Sequence, residues 1–81
     1  MEKLTEKKFW EGLKRLKKYS EDVIVFYQKN VEVGCIDSNE YISSDYDIDD
    51  IYSIEDIGDG VFRINCNDMS LFADSYKIYE P

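Results

Sequence analysis

Apolar positions follow two different rhythms along this chain of 81 residues. Near the start, Phe9, Leu13 and Leu16 stand at i, i+4 and i+7, with Trp10 beside them. That is one apolar stripe at helical period. Thr5 stands where an N-cap belongs, and Leu4 and Phe9 occupy the two positions of a hydrophobic staple. The pattern predicts a helix from about Glu6 to Tyr19 that lays its Phe9, Trp10, Leu13, Leu16 stripe on a sheet. Gly12 inside this helix costs about 1 kcal/mol relative to Ala and would admit a close backbone neighbour.

After Ser20-Glu21-Asp22, which reads as a turn, the rhythm changes to that of strands. Val23 to Gln28 is β-branched and aromatic. Lys29-Asn30 can make a two-residue turn, because Asn tolerates positive φ. Val31 to Ile36 is the next strand, and Gly34 within it marks a bulge or a close neighbour. Tyr41-Ile42 reads as a short strand, and Asp45 to Ile48 alternates acid and apolar. Asp49 to Ile57 fits two templates. Ile48, Ile51 and Ile54 suit a short helix, whereas Tyr52 to Ile57 suits a strand entering a hairpin. Gly58-Asp59-Gly60 is a turn. Val61 to Cys66 alternates with Phe62, Ile64 and Cys66 inward, and Asn67-Asp68 turns again. Met69 to Ala73 and Tyr76 to Tyr79 complete one or two last strands. The expected fold is α+β: one domain over residues 1–81, with one N-terminal helix packed on a small curled antiparallel sheet of about five strands. A sheet curled into a small barrel is the alternative.

Charge adds a second level of organisation. The net charge is −8, with 10 Lys/Arg against 18 Asp/Glu. From Met1 to Ser20 the balance is reversed, with seven Lys/Arg and three Glu. Between Lys29 and Arg63 there is no Lys or Arg, and ten acids run from Glu32 to Asp59. Tyr41, Tyr46, Tyr52 and five isoleucines are interleaved with those acids. An acidic tract without apolar residues stays disordered, whereas this one carries enough to fold. In a strand, Asp45, Asp47 and Asp49 would face one way at ~6.6–6.8 Å intervals, a row of charges spaced like a polyanion. The expected partner-binding residues are Asp45, Asp47, Asp49, Asp50, Glu55 and Asp56, with Tyr46 and Tyr52 as aromatic anchors.

Several function classes fit poorly. The chain has no His, so Ser-His and Cys-His pairs are excluded, and Gly58-Asp59-Gly60 lacks the Lys and helix of a phosphate loop. No catalytic residue and no cofactor is expected. Asp45, Asp47, Asp49 and Asp56 match positions 1, 3, 5 and 12 of a calcium loop, but position 6 is Asp50 where Gly is needed, so a calcium-binding module is a minor alternative. Net negative charge disfavours direct binding of nucleic acid or an anionic membrane. No apolar run approaches the ~18 residues of a membrane span. The start of the chain does not read as a signal peptide, so Cys35 and Cys66 are expected to be unbridged and the protein cytoplasmic.

In size, charge and lack of catalytic groups, with its acid array interleaved with tyrosines, the chain resembles small acidic phage-type anti-defence proteins. These include DNA-mimicking anti-restriction proteins and anti-CRISPR inhibitors. The resemblance implies a non-enzymatic inhibitor that occupies the groove of a basic nucleic-acid-binding protein, such as a nuclease or CRISPR effector. The same electrostatics suit an immunity protein or antitoxin that neutralises a basic nuclease toxin. The basic helix could answer the acids within the molecule or in a homodimer.

Overall fold

A computed structural model describes residues 1–19, 21–38 and 46–80, with side chains for all of these except 46–48. The helix α1 (Glu6–Lys18) follows a short strand β1 (Glu2–Lys3). Thr5 caps it: its hydroxyl accepts from the Lys8 N–H at 3.1 Å. Leu4 and Phe9 are both buried in the core, as a staple requires. Arg15, Lys17 and Lys18 occupy the last turn, where cations favour the helix dipole.

The stripe that α1 buries is Phe9, Gly12, Leu13 and Leu16. Trp10 departs from expectation. It is exposed, and its ring meets Phe9 edge-on with centroids 5.1 Å apart. One helical step is about 100°, and this carries Trp10 off the stripe on which Phe9 sits.

Two strands form the next hairpin, β2 (Val23–Gln28) and β3 (Val31–Asp37). Lys29 and Asn30 both take positive φ, 50° and 66°, the backbone of a tight two-residue hairpin turn. The register slips between Phe26 and Tyr27, which pair with Gly34 and Glu32. Val33 is the extra residue of that bulge, next to Gly34. The chain continues through β4 (Tyr46–Asp47), a 3-10 turn (Ile48–Asp50) and β5 (Ile51–Asp56). Both templates for this stretch are therefore used, one after the other. The strand expected at Tyr41-Ile42 lies outside the described residues. Gly58, Asp59 and Gly60 all have positive φ and turn the chain into β6 (Phe62–Cys66). The last strands are β7 (Ser70–Ala73) and β8 (Ser75–Tyr79).

The α+β class stands, and among the described residues there is one α-helix but not one sheet. The described strands form two sheets, ordered β1-β8-β2-β3-β4 and β5-β6-β7. The strands are antiparallel neighbours except β3 and β4, which run parallel. The cause of the split is Asp74. Its N–H donates to the Tyr27 carbonyl, and its own carbonyl accepts from the Leu4 N–H, both at 2.9 Å. Its carboxylate accepts from the Lys29 N–H at 2.9 Å and the Ser75 hydroxyl at 3.0 Å. Pinned there, the chain leaves β6 at the end of β7 and joins β2 as β8.

The core lies between the two inner sheet faces and α1. Ile24, Phe26, Ile36 and Tyr76 come from the larger sheet, and Phe62, Ile64, Leu71 and Ala73 from the smaller. Fully burying an Ile, Leu or Phe side chain contributes about 1.5–3 kcal/mol, so these positions supply the main cohesion. Cys35 and Cys66 are unbridged, with Cys66 buried. Burial pushes the Cys66 thiol pKa up, with Asp50 adding to the effect. Among the described residues no helix is long and apolar enough to cross a membrane.

Gly12 is where the helix approaches the sheet closely. A Cβ built there would lie 2.8 Å from Ile24 Cδ1, and Ile24 is buried. Helix propensity alone favours Gly12→Ala by about 1 kcal/mol, but overpacking costs ~1–3 kcal/mol. Gly12→Ala is expected to lower stability in urea unfolding, whereas the same change in an Ile24→Val background, which lacks Cδ1, raises it. Equal stabilisation in both backgrounds would show that the contact does not limit packing.

Candidate interaction surface

The acidic segment emerges on the smaller sheet. Its strand β5 is an edge strand, paired with β6 through Ile54↔Ile64 and Glu55↔Arg63. Ile51 and Ile54 turn inward against the core, so Ser53 and Glu55 face outward by the two-residue alternation of a strand. The register skips a residue between Ile51 and Ser53. Tyr52 is that residue, and it is 66% exposed. A bulge at a sheet edge re-aims a side chain; here it sets an aromatic ring in solvent beside carboxylates.

The outer face of this sheet is a hydrogen-bonded array. Asn65 donates to the Ser53 hydroxyl at 2.9 Å, and its amide oxygen accepts from Ser70 at 2.9 Å. Arg63 forms an ion pair with Glu55. Opposite Arg63 on β7 stands Phe72, which is exposed. Arg63 Nε is buried and has no hydrogen-bond partner among the described residues. The carboxylate edge runs on past β5. Asp56 accepts from the Gly58 N–H at 2.9 Å, which fixes its orientation in the turn. Asp49, Asp59 and Ile57 are exposed nearby in sequence. Asp50 is tied to the β6–β7 turn by Asn67, whose side chain donates at 3.2 Å.

The expected single row of carboxylates is not formed. Asp45 lies outside the described residues. Tyr46 and Asp47 form β4 at the edge of the larger sheet, and their side chains are also outside the description. Asp49 and Asp50 sit in the 3-10 turn rather than in a strand, because the chain must cross from one sheet to the other there. Tyr52, Glu55 and Asp56 all belong to β5, with Glu55 on the outer face and Asp56 opposite inward-facing Phe62 at the strand's end. The calcium-loop match fails as geometry: its second half is β5, an extended strand, not the end of a coordinating loop. Asp37, at the start of the acidic tract, is buried rather than displayed.

Sequence reasoning missed Phe72, Asn65 and the Arg63–Glu55 pair. Phe72 was accessible to it: Leu71 and Ala73 face inward, so strict alternation puts Phe72 outside. The polar array was not, since it depends on the register between β5, β6 and β7. No family model, curated protein or solved structure matches the chain.

Asn65 and Tyr52 separate architecture from display. Asn65→Ala removes links to two strands and should cost about 1–3 kcal/mol of stability. Tyr52→Ala alters an exposed ring and should stay within about 0.5 kcal/mol of the parent. Paired urea titrations check this; a large loss for Tyr52→Ala would mean that its ring packs on the fold.

Proposed function

We propose that this protein acts by binding rather than by catalysis, and that β5 with its following turn is the recognition element. The observation that carries this is the mixture at one sheet edge. Tyr52 and Ile57 are exposed there beside the exposed acids Glu55, Asp56 and Asp59. Exposed apolar rings rimmed by charge mark interaction sites, and Tyr is enriched among interface anchors. Among the described residues the cations near this face are Arg63, already paired with Glu55, and Lys3, whose Cε lies beside Gly60 of the turn. The complementary partner is therefore a basic protein surface.

Basic grooves of that kind belong to proteins that hold nucleic acid, and an inhibitor of a nuclease or CRISPR effector is the functional class we infer. The carboxylates are carried on β5 and its turn, and Asp56 is held by a backbone N–H. Less ordering is then needed on binding, and less of the interaction energy is lost. The anchor chemistry differs from that of a phosphate chain: Tyr52 offers apolar area that a nucleic-acid backbone lacks. This reading extends to the whole acidic set, including Asp45, Asp47, Asp49 and Asp50 with Tyr46.

Two classes of variant give separable kinetic outcomes against a captured basic partner. Asp56→Asn with Asp59→Asn keeps the turn acceptors and removes charge, so association should slow about tenfold and lose much of its salt dependence. Tyr52→Ala should chiefly speed dissociation. Unchanged binding by a variant that combines all three changes would assign the acidic face to solvation alone.

A further inference from the structure

On the other side of the molecule's charge distribution is a groove between α1 and β8. Its volume is about 450 Å³, and its lining includes Lys8, Lys14, Arg15, Lys18, Tyr19 and Ile78. Four of the nine lining residues are cations and one, Glu11, is an acid, in a protein whose net charge is −8. Their partners are unevenly shared. Lys8 pairs with Glu2, and Arg15 with buried Asp22 at 2.9 Å. Among the described residues Lys14 has no ion pair, and Lys18 only lies over the Tyr19 ring, 5.4 Å from its centroid. The groove also shows what it takes. Glu80, near the end of β8, places its carboxylate on Arg15, and that glutamate side chain is 66% exposed, so a competing carboxylate can replace it.

We propose that this groove is a carboxylate-binding site whose occupant is the acidic edge of a second copy of the same chain. The argument is complementarity between two surfaces that do not satisfy each other within one molecule. Among the described residues neither Asp56 nor Asp59 has an ion pair to a cation of α1. One copy offers Lys14 and Lys18 beside the aromatic ring of Tyr19. The next offers Asp56 and Asp59 beside Tyr52 and Ile57. The two patches are different, so the contact either closes reciprocally as a two-fold dimer or runs head-to-tail into a larger ring or an open chain. Net charge opposes association over long distances, but at physiological salt its reach is only about 8 Å, whereas the groove contacts are direct. The same acidic edge serves the partner proposed above, so self-assembly would keep it covered until a basic protein displaces the neighbouring copy.

The test is sedimentation of the purified chain alone at physiological salt. Wild type is expected to associate as concentration rises, into a reciprocal dimer or larger species. Lys14→Gln with Lys18→Gln, and separately Asp56→Asn with Asp59→Asn, should each give monomer, because each lacks one half of the contact. Mixed in equal amounts, the two variants retain a single intact groove–edge pair and should form a 1:1 dimer and nothing larger. All four positions are exposed, and circular dichroism checks that each variant is folded. Monomeric wild type at every concentration overturns the proposal. So does assembly that survives either pair of changes, or a mixture that stays monomeric. No partner is present, so failure here leaves the binding function standing.

Discussion

Asp74 is the point on which the architecture turns. Its backbone and carboxylate hold Leu4 between β1 and the α1 cap, the end of β2 and the hairpin turn after it. These are contacts across more than forty residues of sequence. They oblige β7 and β8, which could run as one strand, to belong to different sheets. The two inner faces are thereby turned toward a common core, with α1 packed against them. The price is local: a bend in which each polar group of Asp74 must find a partner, since an unmet buried donor or acceptor costs about 1–3 kcal/mol. The structure meets it with both backbone groups and both carboxylate oxygens engaged.

That split also determines where charge is displayed. Because β5 ends up on the smaller sheet, the 3-10 turn at Ile48–Asp50 must carry the chain across from β4. Acids that alternate evenly in sequence are consequently divided between a parallel edge, a helical turn and an antiparallel edge. What survives as a coherent surface is the β5 edge with its turn, where a bulge exposes Tyr52. Four cations of α1, Lys8, Lys14, Arg15 and Lys18, line a groove against β8. Their neighbours also shape the chemistry of that region. The Glu2 carboxyl is held below its usual range, first by the Tyr76 hydroxyl and then by Lys8. Tyr76 is itself pushed up to about 12, by burial and by Glu2.

The sequence made local structure legible wherever the controlling contacts are local. The Thr5 cap, the Leu4–Phe9 staple, the Lys29-Asn30 turn and the inward face of β6 all depend on residues within a few positions of one another. Trp10 lies off the stripe because adjacency in sequence turns a helical residue by about 100° from its neighbour. The second sheet was not legible for a different reason. Asp74-Ser75 contains neither Gly nor Pro, and nothing near it announces a bend; the restraints come from Leu4, Tyr27 and Lys29. Likewise, Asp45 to Ile57 satisfies a period of two and a period near three, and only pairing with β3 and β6 decides between them. Acidity was readable from composition, whereas the exposure of Tyr52, the Arg63–Glu55 pair and the Asn65 array required the register.

If, as proposed, the acidic edge takes the place of nucleic acid on a basic partner, sizing a mixture of that partner, its nucleic acid and this protein distinguishes exclusion from co-binding. Mutual exclusion is the expected result: the nucleic acid added first protects the partner, this protein added first prevents nucleic-acid binding, and no species contains all three. A stable ternary complex would contradict the claim and place the contact away from the groove.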